Sequence, residues 1–227
     1  MNRPADPTPL SAADTYQDRD DDDAALSAAY PARPAWASNR GFGWIVALTG
    51  LVAFIASFIL VLGLFALYKD PGHVTSCDIN PWISCGTVMR SWQAALFGFP
   101  NPIIGIIGFA VVITIGVSLL SGARFQRWYW IGFQTGITLA FAFCVWLWSQ
   151  AVYDINALCI YCMIVWAMMI ILFITTFSRN ILTDVIPSSD GLKRFVASWN
   201  WMFVALLVIA VAASIFFRFM NAFFPAS

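Results

Sequence analysis

The sequence contains no glutamate and a single histidine, His73. Charged residues make up 11% of the chain, against about a quarter in an ordinary soluble domain. The 12 basic and 12 acidic side chains cancel. Each shortage removes a class of function. Without a positive surplus there is no electrostatic footprint for nucleic acid, so no nucleic-acid partner is expected. One histidine leaves too little for a His-rich metal site or for a Ser-His or Cys-His triad. So little charge in a chain that is 60% hydrophobic means that lipid, not water, must face most of its surface.

Much of the acid sits in one place. Residues 1–40 are rich in Ala, Pro, Ser and Asp and carry the run DRDDDD at Asp18–Asp23. Such a segment buries too little apolar surface to offset its ordering entropy, so a disordered acidic tail is expected there. It does not read as a secretory signal, because the first long apolar run starts only near Trp44 and has no cleavage site.

Five uncharged runs follow: Gly41–Tyr68, Pro102–Leu120, Trp128–Tyr153, Ile155–Ser178 and Phe195–Phe217. A helix needs about 20 apolar residues to cross roughly 30 Å of hydrocarbon, and a helix satisfies its own backbone where lipid cannot. The expectation is therefore an all-α integral membrane protein with five spans. Lys and Arg placement gives the orientation. With a cytoplasmic N-terminus, Arg33, Arg40, Arg124, Arg127, Arg179, Lys193 and Arg194 fall inside near span ends. Lys69, Arg90 and Arg218 fall outside. On this reading residues 178–194 form a cytoplasmic loop, and Lys69–Asn101, the link YDINAL and the C-terminus face the exterior.

The five cysteines then divide by position. Cys77 and Cys85 lie in the first exterior loop, HVTSCDINPWISCGTVMRSW, and Cys159 and Cys162 head the fourth span at the same face. Disulfides persist on that side of a cytoplasmic membrane. Cys144, in AFAFCVWLW, reads as a packing residue. Asp154 or Asn156 is expected to cap the fourth helix, which places Cys159 in or near the first turn, where the helix dipole favours a thiolate. Three-residue spacing puts Cys162 on the same face. A Cys77–Cys85 bridge would close a short ring worth about 2–3 kcal/mol as a mere staple. Two pairs at one membrane face suggest a relay instead, in which a thiolate of one pair attacks the disulfide of the other. A four-Cys zinc site is the other physical option, although no second-shell His is at hand.

A relay needs a terminal acceptor. The fourth helix continues into lipid as MIVWAMMIILF, so the acceptor should be lipid-soluble and pack on aromatic and Met side chains. A quinone suits this. Trp92, Phe97 and Phe99 precede the second span, and Met163 and Trp166 follow Cys162, with Trp166 one turn on along the same face. Aromatic residues also form the ordinary girdle of any membrane protein. Asn101 can donate its amide to a quinone carbonyl, or simply cap the helix ahead of Pro102.

The order CDINPWISC, then LFGFPNPIIGIIGF, then CIYC resembles the vitamin K epoxide reductase family over roughly Gly41 to Phe177. The resemblance implies a four-helix bundle over 41–177 around a quinone (menaquinone or ubiquinone), with a fifth helix added over 195–227. It implies a bacterial thiol oxidase in the role of DsbB that reoxidises a DsbA-like, thioredoxin-fold partner. Many bacterial relatives carry that partner fused after the fifth span. Here only a few residues follow that span, so a separate partner is expected. By resemblance, Cys77 exchanges with the partner, Cys85 passes electrons to Cys159, Cys162 faces the quinone, and Asn101 holds the quinone head. Trp166 stands where animal relatives typically have Tyr, and its indole N–H donates but cannot accept or ionise. The alternatives are a vitamin K epoxide or quinone reductase and, from another class, a non-catalytic membrane scaffold whose disulfides are structural. The scarcity of ionisable residues in the spans argues against coupled transport.

Overall fold

The structure is a computed structural model that describes residues 34–220. Most of the expected tail, with its acidic run and Arg33, lies outside the described residues. The described chain is helical, with no strand. In order come α1 (Asn39–Lys69), the short α2 (Cys85–Arg90), α3 (Asn101–Leu120), α4 (Arg127–Ser149), α5 (Ile160–Leu182) and α6 (Asp190–Arg218). Five helices are long and apolar enough to cross a membrane: α1, α3, α4 with its extension to Ile155, α5 and α6.

The helix ends differ from the apolar runs for local reasons. Helix α1 starts at Asn39 because Ser38 accepts a hydrogen bond from the Gly41 N–H and caps it, so ordered structure reaches back into the segment expected to be tail. The third span does not stop at Ser149. It continues as a π-turn, Gln150–Ile155, which ends on Asn156 in the left-handed conformation at φ 54°. The fourth helix consequently begins at Ile160, and neither Asp154 nor Asn156 caps it; Cys159 itself occupies the N-cap position with extended backbone. At the opposite end α5 runs on to Leu182, and Ser189 caps α6, so the expected loop over 178–194 shrinks to a short turn.

Packing starts from small residues. A methyl group on Gly116 would come within 2.6 Å of the Ala47 backbone nitrogen, and one on Gly43 within 3.1 Å of Leu119 Cβ. With no hydrophobic force between helices in lipid, such close backbone approach is what holds α1 against α3. Helix α5 packs on α1, α4 and α6, and so stands at the centre. The core joins Phe42 and Val46 of α1 to Val112 and Leu119 of α3, Trp130 of α4, and Met169 and Leu172 of α5. At this end the buried Arg179 lies 3.9 Å from the Trp130 ring centre and donates to Asn39 Oδ1 at 2.8 Å. Arg127 donates to the Val185 carbonyl at 3.0 Å. The cysteine pairs lie at the other end, in the loop before α2 and at its first residue, and at the head of α5.

Candidate functional site: two cysteine pairs over an apolar cavity

The loop between α1 and α3 is shaped around Asp78. Its carboxylate accepts from the Thr75 N–H at 2.7 Å, the Ser84 hydroxyl at 2.7 Å and the Gly86 N–H at 2.9 Å. Burial pushes the Asp78 pKa up, but these donors outweigh it and hold the carboxyl down at about 2. Asp78 adjoins Cys77, while Ser84 and Gly86 flank Cys85, so one carboxylate gathers both arms. Cys77 and Cys85 form a disulfide with Cα atoms 5.6 Å apart.

The loop is then tied to the fourth span. Leu158 donates its N–H to the Trp82 carbonyl at 2.8 Å and accepts from the Ser84 N–H at 2.9 Å. The residues just before Cys85 and just before Cys159 are thus bonded backbone to backbone. As a result Cys159 Sγ sits 3.0 Å from Cys85 Sγ. Cys77, Cys85 and Cys159 are all at most 2% exposed. A hydrogen bond from the Cys162 thiol, with the N–H groups of Cys162 and Tyr161, holds the Cys159 thiol below its usual pKa despite burial and the nearby Asp78 charge. The sequence placed a thiolate at a helix N-terminus. The structure makes it the N-cap, with extended backbone and no side-chain hydrogen bond closing the helix start. The sulfurs of Cys77, Cys85 and Cys159 lie within 4.8 Å of one another. With two of them bonded to each other the cluster is arranged for exchange, since a metal binds thiolates.

Beneath the sulfurs lies a cavity of about 610 Å³, within the range of roughly 300–1,000 Å³ usual for small-molecule sites. Cys159, with Cys162 and Trp166 of α5, lines it, as do Asn101 of α3 and Phe133 of α4. It reaches down between α3 and α4 as far as Trp128 and Tyr129. Asn101 is the first residue of α3 and does not cap it; Pro100 is the N-cap, and the Asn101 Nδ2 donates back to the Gln93 carbonyl at 2.7 Å. The Asn101 Oδ1 is buried with no partner. An apolar chamber holding one half-used amide fits a flat ring with polar edges: the spare N–H suits a quinone carbonyl, and the orphaned oxygen suits a hydroquinone hydroxyl.

The other expected contacts lie off the cavity wall. Trp92 is exposed and packs edge-on to Trp146. Phe97 is exposed between Phe99 and Phe143. Met163 turns toward Val152, Leu158 and Phe219. Cys144, read from sequence as inert packing, is on the wall. So is Gln93, which sequence reasoning passed over; its signal is a lone amide in the apolar stretch SWQAALFGF. Asp78 was legible only as the neighbour of Cys77.

Fold and site together define a multi-pass membrane protein built for thiol–disulfide exchange beside an apolar ligand chamber. Residues 44–177 match the vitamin K epoxide reductase family, and the chain belongs to that family. No curated protein matches the chain. Membership makes it a membrane thiol–disulfide oxidoreductase of a family whose members use quinones and act with thioredoxin-like partners.

Proposed function

We propose that this protein is a quinone-dependent thiol oxidase that reoxidises a DsbA-like, thioredoxin-fold partner outside the cytoplasmic membrane. The observation that carries the reading is the 3.0 Å approach of Cys159 Sγ to a sulfur of the Cys77–Cys85 disulfide. Thiol–disulfide exchange requires that contact and little else. The basic end of the bundle, with Arg124, Arg127, Lys193 and Arg194, faces the cytoplasm on this reading, and the sulfurs face out.

The steps balance as exchanges. A partner thiolate attacks Cys77, forming a mixed disulfide and releasing the Cys85 thiolate. The second partner thiol resolves the mixed disulfide and leaves oxidised with its disulfide closed. Cys85 attacks Cys159 of a Cys159–Cys162 disulfide, which releases the Cys162 thiolate at the cavity wall. Cys77 then closes on Cys85 and frees Cys159. Re-forming the Cys159–Cys162 disulfide gives up two electrons, with the two protons that arrived on the partner dithiol. A quinone, when bound, supplies the two-electron, two-proton acceptor. Asn101 would hold its polar edge and Trp166 would pack its face, while the buried setting keeps water from the sulfurs.

Purified protein given reduced partner should reduce quinone stoichiometrically with partner oxidation, and Cys162→Ala should abolish turnover; in that variant the Cys159 thiolate can still attack Cys85 of the Cys77–Cys85 disulfide, which forms a Cys85–Cys159 link and releases the Cys77 thiol. Unimpaired turnover in that variant would refute the route.

A further inference from the structure

Gln93 is a polar residue that the exchange steps leave unused. It sits in the 3-10 turn Trp92–Ala95, 2% exposed, on the cavity wall. A buried amide is costly unless its polar atoms are paired. The Gln93 Nε2 donates to Oδ2 of Asp154 and, at 3.3 Å, to Oε1 of Gln150. Its backbone carbonyl takes the Asn101 amide at 2.7 Å. One residue is therefore gripped by a carboxylate on one side and grips Asn101 on the other.

Asp154 and Gln150 both belong to the π-turn Gln150–Ile155. A π-turn shifts the register of side chains along a helix and recurs at functional sites. Here it turns two polar side chains toward a single amide at the chamber rim. The same stretch passes through the left-handed Asn156 into Leu158 and Cys159. The chain segment that carries the reacting thiol thus also carries the carboxylate that steadies the amide across the chamber.

We propose that Gln93 and Asp154 are positioning residues for the quinone site, aiming the Asn101 amide at the ring in register with Cys159 and Cys162. The inference rests on the reading that Asn101 contacts the quinone. Asp154 is exposed and off the cavity wall, so it acts through Gln93 alone. A hydrogen bond to a charged acceptor is shorter and roughly twice as strong as a neutral one, which suits a fixed strut.

The test uses the full chain in detergent, with dithiothreitol as donor and decylubiquinone as the probe quinone. Asp154→Ala and Gln93→Ala keep the backbone carbonyl that takes the Asn101 amide but loosen the turn that carries it, so each should raise the KM for decylubiquinone by up to about tenfold, the effect of losing the Asn101–quinone hydrogen bond. Thiol trapping without quinone should show the Cys77–Cys85 disulfide reduced by dithiothreitol at the unaltered rate. The double variant should be no worse than either single one, because the two act as a unit. Asp154→Asn, which still accepts from Gln93, should recover most of the affinity. An unchanged KM in both alanine variants, or additive losses in the double variant, overturns the proposal. Should the alanine variants unfold, Gln93→Glu keeps the volume and sets two carboxylates against each other; an unchanged KM there overturns it equally. Asn101→Ala separates the two claims. If it raises KM while the Gln93 and Asp154 variants do not, only the strut falls; if it leaves KM unchanged, the ring contact at Asn101 falls as well.

Discussion

At the scale of the residue, the site is governed by which hydrogen bonds each acceptor receives. Asp78 illustrates this. Its folded pKa of about 2 lies below the ordinary 3.8, so the group binds its proton less readily folded than unfolded. Its stabilising contribution is therefore complete above pH 3.8, declines as pH falls, and is gone once pH passes below about 2. Thermal unfolding between those limits should steepen with acid in the native chain and less so in Asp78→Asn. The same carboxylate raises the Cys159 pKa by its charge. Removing that charge should lower it further, so Asp78→Asn should move the pH profile of Cys159 alkylation in the reduced protein toward acid, as read by mass spectrometry. An unmoved profile would mean that the Asp78 charge does not reach the sulfur. Asp78 and Gln93 were hidden in the sequence because a lone Asp or Gln announces nothing; their meaning lies in partners 8 or 61 residues away.

At the scale of the element, the helices were legible and their ends were not. Long uncharged runs can only be spans, because nothing else satisfies the backbone in hydrocarbon. Where a span stops depends on caps and on how far a helix continues past the lipid, and hydropathy is blind to both. The π-turn after α4 is the clearest instance. The third apolar run ends at Tyr153 and the fourth begins at Ile155, yet the π-turn carries the third helix on through Ile155 and α5 starts only at Ile160. The contact of α1 with α3 is the element most open to test. Gly116→Val places side-chain atoms where the Ala47 backbone already lies, as the 2.6 Å approach of a bare methyl shows. Overpacking of this kind costs about 1–3 kcal/mol, so the variant should unfold at lower temperature in detergent, with the cavity-lining thiols more accessible to maleimide. A Val at Gly108, where nothing lies within 4 Å, should leave stability nearly unchanged.

At the scale of the molecule, the arrangement separates a basic end from a sulfur end along the spanning helices. On the proposed orientation, a membrane-impermeant maleimide applied to intact cells should label a cysteine introduced at the exposed Val74, beside the sulfur end, but not one introduced at the exposed Ser121, near the basic end. Labelling of the Ser121→Cys site from outside would invert the topology and with it the proposed function. The membrane class, the number of spans, the grouping of four cysteines at one face and the family could be read from the chain alone, because apolar length, charge bias and ordered motifs are all linear properties. Tertiary packing settled which sulfur meets which, that Cys159 stands at the N-cap position of its own helix, that Trp166 and Asn101 share a chamber whose wall excludes Trp92, Phe97 and Met163, and that Asp154 reaches that chamber through Gln93. Those outcomes depend on which way each helix is rotated and where its first N–H groups point, and rotation is settled by packing between segments far apart in the chain.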